Sequence, residues 1–130
     1  MSTTSLENLP PTKKIRQLVN KKYVKGMADT ALPGRIIDKA LHADHIVPMD
    51  EITKMNDFDK LTQVQQLEVL NYEKNFVGLS ESANTSKGAK SFEEWVEHKG
   101  LGIKVDDTFR QEMIKQAKDL KVELQDLITN

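Results

Sequence analysis

Apolar side chains recur at helical spacing in three stretches of this chain. The first stretch is 13–25, which Gly26 ends; the others are 61–70 and 106–128. The positions that define them are Ile15, Leu18 and Val19, then Leu61, Val64, Leu67 and Leu70, then Phe109, Met113, Ala117, Leu120, Leu124 and Leu127. This pattern predicts three amphipathic helices, of which the last is the longest.

Caps, chain breakers and short apolar pairs predict four shorter helices. They cover 35–41 after Pro33 and Gly34, the region of Ile52 and Met55, 80–87 before Gly88, and 92–98. The last one begins at a capping-box pattern, in which Ser91 accepts from the first turn and Glu94 reaches back. Phe92 and Trp95 in this segment are predicted to be core anchors.

Two segments have the pattern of short strands. Residues 41–48 alternate so that His42 and Asp44 share one face while His45 lies on the other. Residues 75–79 form the second strand, and the predicted helix over 80–87 follows it directly. A hairpin followed by a helix can bring the helix beside the end of the first strand.

These elements predict an α+β fold, a mostly helical small domain around this hairpin-plus-helix unit. The length of 130 residues fits one domain. Within it we expect a disordered lead over 1–12, a basic helical segment over 13–40, the core unit over 41–98, and a C-terminal helix over 99–130 that packs on the core.

The formal net charge of −1 conceals a strong asymmetry along the chain. Residues 1–40 hold eight Lys or Arg against three acidic residues, a net of +5, whereas 41–80 hold three against seven, a net of −4. A basic segment beside an acidic region suits a protein that contacts phosphates and also holds a cation. The alternative is a solvated basic helix without a ligand.

Composition limits the side chains that can hold a metal ion and the cellular locations that are expected. The chain has no cysteine, so any metal must be held by His, Asp, Glu or Asn side chains. No apolar run reaches the roughly 20 residues of a membrane span, and the N-terminus lacks the apolar core of a signal peptide. We therefore expect a soluble, monomeric product without a membrane span; delivery as part of a longer chain stays open.

The dipeptide Asp44-His45 is the first feature that suggests chemistry. Phosphodiester hydrolysis needs a divalent cation to neutralise charge on the phosphate, and a base to activate water. A carboxylate is a hard ligand for such a cation, and a histidine is the usual base near neutral pH. By itself the dipeptide more often belongs to a structural strand, so further residues must support it.

Two asparagines give that support. Asn75 opens the second strand and Asn84 lies nine residues further on, inside the following helix. Asn84 could place an amide oxygen beside Asp44, which leaves open positions for water and phosphate, as Mg²⁺ favours. Asn75 could bond the loop backbone and fix the orientation of His45. The simpler interpretations are that Asn75 is a turn residue and that Asn84 is a helix cap.

At these residues the chain resembles the HNH endonucleases, the ββα-metal family. Their pattern is Asp-His-Ile-x-Pro at a strand end, an Asn before the second strand, and a His or Asn nine residues later on a helix. This chain supplies the pattern with Asp44, His45, Ile46, Pro48, Asn75, Asn84 and, three residues on, Lys87. The resemblance covers about 40–95. Because Gly88 stands where nuclease colicins carry another His, their three-histidine zinc site is not expected.

The resemblance implies a role for each matching residue. Asp44 and Asn84 would be metal ligands, His45 the general base and Asn75 its orienter, with Mg²⁺ as the expected ion and Mn²⁺ or Zn²⁺ as alternatives. Nucleic-acid contacts are expected from Lys87, Lys13, Lys14, Lys21 and Lys22. His42 is either a structural residue or an extra ligand or phosphate contact.

The implied activity is metal-dependent hydrolysis of DNA, with RNA as a further possible substrate. The runs over 41–49 and 82–95 resemble toxin modules of large contact-dependent or secreted bacterial toxins. Such a domain would act in the bacterial cytoplasm and would need an immunity protein as partner. The alternatives are an HNH nuclease of a restriction or phage system, and a catalytically silent nucleic-acid-binding module.

Overall fold

Thr12 begins the first helix of the computed structural model, which describes residues 11–130. Its hydroxyl accepts from the backbone N–H of Ile15 and caps helix α1, Lys13–Val19. This helix ends well before the predicted position at 25. The reason is Asn20, whose side chain donates to the carbonyl of Leu41 (2.9 Å) and accepts from its N–H (2.6 Å). These bonds turn the chain toward the next element.

A small hairpin follows, formed by β1, Met27–Ala28, and β2, Ile36–Ile37. The predicted helix over 35–41 is therefore wrong. Asp29 explains the turn, because its buried carboxylate accepts from the backbone N–H groups of Ala31 and Leu32. A side chain that bonds the nearby backbone in this way competes with helix formation.

The predicted strand–strand–helix unit is confirmed. Strands β3, His42–His45, and β4, Phe76–Leu79, pair antiparallel with His45 opposite Phe76. Helix α2, Met49–Thr53, and helix α3, Gln63–Leu70, lie in the connection between these strands, with short 3₁₀ turns at Phe58–Lys60 and Glu73–Asn75.

Helix α4, Glu81–Lys87, follows β4 without a loop. Ser80 caps its start by accepting from the N–H of Ala83. The helix ends at Gly88, as predicted, where φ is 55°. Glycine adopts this positive φ without the steric penalty that a side chain would add. The Ser80 hydroxyl also donates to the buried Asp29, which ties α4 to the first hairpin.

The helix predicted over 92–98 is wrong. The Ser91 and Glu94 hydrogen bonds of the predicted capping box are present, but they close a single turn. The chain then forms a hairpin of β5, Glu97–His98, with β6, Ile103–Lys104.

The long terminal helix is confirmed as α5, Asp107–Thr129. Asp106 caps it by accepting from the N–H of Phe109. About 47% of the described structure is helical and 13% is strand, which establishes the α+β class.

One apolar core joins the central hairpin, α4 and the inner face of α5. Its members include Ile46, Val47, Ile52, Leu70, Leu79, Ala83, Phe92, Trp95, Met113, Leu120, Leu124 and Ile128. Phe92 and Trp95 are buried here in an edge-to-face pair, which confirms them as core anchors. Helix α5 thus packs on the core unit. Of the predicted lead over 1–12, residues 1–10 lie outside the described part.

Helix α1 packs directly against the central hairpin. The close approach occurs at Gly78 on β4, where an added Cβ would lie 2.8 Å from both the backbone oxygen of Val19 and a side-chain atom of Leu41. Glycine is therefore required for the two elements to meet. This contact attaches the basic N-terminal segment to the strands that carry Asp44 and His45.

Candidate active site

Strand β3 delivers Asp44 and His45 to one cleft of about 540 Å³. The other residues that line it are Pro48, Met49, Asp50, Lys87, Gly88 and Ala89. Strand alternation predicted opposite faces for Asp44 and His45. Both reach the cleft because β3 ends at His45 and the chain bends over 46–47. The end of a strand thus supplies two adjacent side chains to one site.

A backbone carbonyl fixes the His45 imidazole. Its Nε2 lies 2.9 Å from the oxygen of Leu70, the last residue of α3, where helix carbonyls lack an internal partner. A carbonyl only accepts, so Nε2 carries the proton. In a neutral ring Nδ1 is then the atom with a free lone pair. The Phe76 ring packs against the imidazole with centroids 4.3 Å apart.

Burial lowers the pKa of His45 below its ordinary value of 6.5. The nearby positive charge of Lys87 acts in the same direction, while the hydrogen bond to Leu70 opposes both. The imidazole is therefore neutral at pH 7, with Nδ1 able to accept a proton. This protonation state is the one that general-base catalysis requires.

Asp44 is a buried carboxylate, only 8% exposed. Burial raises its pKa above the ordinary 3.8, and the Lys87 ammonium acts in the opposite direction. The Nζ of Lys87 lies 2.7 Å from Oδ2 of Asp44, in an ion pair. Within residues 11–130 this oxygen accepts no hydrogen bond of good geometry. The ion pair with Lys87 is therefore the main interaction that offsets the cost of burying the carboxylate.

Lys87, which was predicted to contact nucleic acid, is 1% exposed and lies against Asp44. Its Nζ also donates to the backbone oxygen of His45 at 3.3 Å and lies 4.7 Å from the centroid of the Phe92 ring. The ammonium is thus held by a carboxylate, a carbonyl and an aromatic face, all of which favour a cation.

Asn75 is fully buried and serves the backbone at the end of β3. Its Oδ1 accepts from the N–H of Val47 at 2.8 Å, and its Nδ2 donates to the carbonyl of the same residue at 3.1 Å. Its own carbonyl accepts from Ile46 at 2.9 Å. These bonds hold the bend that follows His45, whereas the contact with the imidazole itself comes from Leu70.

Asn84 lies three residues before Lys87 on α4, so the two side chains share a helix face. It is half-buried, and within the described residues its side-chain amide makes no hydrogen bond. It is not among the residues that line the cleft. The structure therefore brings together Asp44, His45 and Lys87, and leaves Asn84 one helical turn away.

The side chains in the cleft suit a cation that binds few protein oxygens and keeps its waters better than a cation whose ligands all come from the protein. No cluster of three or more His, Cys, Asp or Glu able to hold a metal occurs among residues 11–130. However, the buried Oδ2 of Asp44 already faces a positive charge. One buried carboxylate with open positions for water is compatible with Mg²⁺, which keeps several of its waters, whereas Asn84 does not line the cleft.

The remaining predicted residues lie outside the cleft. His42 is exposed at the far end of β3 from His45. Lys13, Lys14, Lys21 and Lys22 are exposed on α1 and the turn after it. Lys14 forms a surface ion pair with Glu73 at 2.9 Å, and such pairs contribute little.

Sequence reasoning missed two features of the site. The first is the carbonyl of Leu70, which no side-chain pattern could reveal, although the end of a helix near 70 was predicted. The second is Asp50, an exposed carboxylate in the first turn of α2 that lines the cleft. Its position two residues after Pro48 was a usable indication, since the chain must turn there.

No known protein family matches this chain, and no curated protein sequence or solved structure matches it either. In the described part of the chain, none of the helices is both long and apolar enough to cross a membrane.

Proposed function

We propose that this protein is a metal-dependent endonuclease that hydrolyses phosphodiester bonds of DNA. The observation that carries the proposal is the neutral imidazole of His45. Its Nε2–H is held on the Leu70 carbonyl at 2.9 Å, beside the buried carboxylate of Asp44 in the same cleft. A base and an oxygen ligand at one strand end are the two groups that this reaction requires.

The chain's own residues would act as follows. Nδ1 of His45 accepts the proton of the attacking water, and the Leu70 carbonyl keeps the ring oriented. Asp44, with Asn84 as the second candidate, would hold a divalent cation, which when bound would stabilise charge on the phosphate and leaving oxygen. Asn75 maintains the bend that brings His45 into the cleft.

A plasmid-nicking assay with Mg²⁺ tests this proposal. His45→Ala should reduce nicking by at least about 10²-fold, the scale of a lost general base. His42→Ala is the matched control, because it removes an exposed histidine from the same strand and should leave nicking within about twofold. Excess chelator should abolish cleavage, and Mg²⁺ or Mn²⁺ should restore it. Full cleavage in excess chelator, or by His45→Ala, would contradict the proposal.

The Asp44–Lys87 ion pair favours a second candidate, a nucleic-acid-binding module without catalysis. In such a module Lys87 would simply neutralise Asp44 permanently. Binding of DNA or RNA without cleavage, with every divalent ion tried, would support this candidate. Parallel substrates of DNA and RNA in the same assay also test which nucleic acid is cleaved.

The sequence resemblance extends the proposal to an antibacterial toxin domain that acts with a cognate immunity protein. Expression in a bacterial cytoplasm should then arrest growth, and His45→Ala should remove the arrest. A restriction or phage nuclease is the alternative setting. Growth at the rate of cells that do not express the protein, with active protein present in the cell, would contradict the toxin proposal while leaving the nuclease proposal intact.

A further inference from the structure

Lys87 is a buried lysine with a complete set of cation-binding partners. Its side chain is 1% exposed. Its Nζ lies 2.7 Å from Oδ2 of Asp44, 3.3 Å from the oxygen of His45 and 4.7 Å from the centre of the Phe92 ring. Helix α4 ends at Lys87, so the helix fixes where this ammonium enters the cleft. The arrangement provides the site with a built-in positive charge.

That charge lies where it must affect any second cation on Asp44. Mg²⁺ or Mn²⁺ binds a carboxylate oxygen at about 2.1 Å. Whichever oxygen of Asp44 it takes, the ion and the ammonium would lie within about 7 Å of each other, inside the screening length of about 8 Å. Burial shields the pair from solvent, so the repulsion is weakened less than at a surface.

We propose that Lys87 competes with a divalent cation for Asp44, so that the cation binds tightly only when the ammonium moves away from the carboxylate. The proposal rests on the proposed metal-dependent function, because it concerns the same carboxylate. The lysine stem is flexible and can carry the ammonium toward the cleft lined by Gly88 and Ala89. Lys87 thus keeps the affinity of the free protein for divalent cations low.

Titration calorimetry with Mn²⁺ alone, without nucleic acid, tests the competition in the full chain. Lys87→Met removes the ammonium and keeps an unbranched apolar side chain. It should bind Mn²⁺ at least about tenfold more tightly than wild type, because a like charge has been removed. Lys90→Met is the matched control: it removes an exposed lysine three residues further on, beyond the end of α4, and should change the affinity less than about twofold.

Thermal unfolding gives a second measurement. Without metal, Lys87→Met should melt below wild type, because Asp44 loses its buried partner. Saturating Mn²⁺ should then raise the melting temperature of Lys87→Met by more than it raises that of wild type. Should Lys87→Met fail to fold, Lys87→Gln retains an uncharged donor for Asp44 and should show the same gain in Mn²⁺ affinity.

The outcomes separate this inference from the proposed function. If wild type binds Mn²⁺ and neither Lys87 variant binds it more tightly, competition is refuted while the nuclease proposal stands. If neither wild type nor any Lys87 variant binds Mn²⁺, both are refuted. Tighter binding by Lys90→Met to the same degree as by Lys87→Met would show a general charge effect and would also refute a specific role of Lys87.

Discussion

Asn75→Ala gives the sharpest test of how the site is held together. The amide of Asn75 accepts from the N–H of Val47 at 2.8 Å and donates to its carbonyl at 3.1 Å. Both residues have 0% exposure, so water cannot easily replace the amide. Alanine would leave one donor and one acceptor unpaired in the core.

The size of the effect follows from these two groups. An unpaired buried polar group costs about 1–3 kcal/mol, so two of them give roughly 2–6 kcal/mol before relaxation. We expect about 3 kcal/mol, since a water molecule or a shift of the bend would recover part of the loss. For a domain of this size, that corresponds to a fall in Tm of roughly 10 °C.

Urea unfolding followed by circular dichroism measures this difference, and the neighbouring Asn71 provides a matched control. The Oδ1 of Asn71 is buried and has no hydrogen-bond partner within residues 11–130. Asn71→Ala therefore removes no satisfied bond at this oxygen and should change the free energy of unfolding by less than about 0.5 kcal/mol. If Asn75→Ala costs no more than Asn71→Ala, the amide bridge is not what holds the bend after His45.

Three further predictions follow from other parts of the structure. Because the pKa of His45 is lowered from 6.5 in the folded state, its contribution to stability is complete above pH 6.5 and is lost as the pH falls toward the folded pKa. His45→Gln, which can still donate to Leu70, should flatten this decline in the free energy of unfolding, measured by urea titration at several pH values. An unchanged pH profile would show that burial of His45 does not cause the decline. Gly78→Ala should lower the free energy of unfolding by about 1–3 kcal/mol, because its Cβ would meet the Val19 backbone at 2.8 Å. Gly100→Ala is the control and should lower it clearly less, because its nearest neighbour is the His98 side chain at 3.2 Å. Equal losses of stability would show that α1 moves freely. Joint neutralisation of Lys13, Lys14, Lys21 and Lys22 should weaken DNA binding. It should also reduce the slope of log binding constant against log salt concentration by up to about one unit for each phosphate that the protein no longer neutralises. Normal binding and nicking across a salt series would show that the basic segment does not hold DNA.

Local sequence signals predicted the parts of the fold that local chemistry controls. The terminal helix was predictable because six apolar positions recur at spacings of three and four over about five turns and an aspartate caps the start. The central hairpin and α4 were predictable because a strand pattern, a serine cap and a glycine stop follow one another without a gap. That Asp44 and His45 lie together at one strand end was also predictable, because the two residues are adjacent in sequence.

Contacts between distant segments decided the rest. Within the segment predicted as a helix over 35–41, Ile36–Ile37 forms a strand through its pairing with β1, and the helix predicted after Ser91 is replaced by a hairpin. Likewise, the partners of the site residues lie 25 to 42 positions away in sequence: the Leu70 carbonyl for His45, Asn75 for Val47 and Lys87 for the His45 carbonyl. A carbonyl partner has no side-chain signature, and an ion pair depends on how α4 docks on β3. Sequence therefore determined that Asp44 and His45 stand together at a strand end, whereas packing determined that Lys87 and Asp50 join them in the cleft, that Asn84 does not, and which atoms make contact.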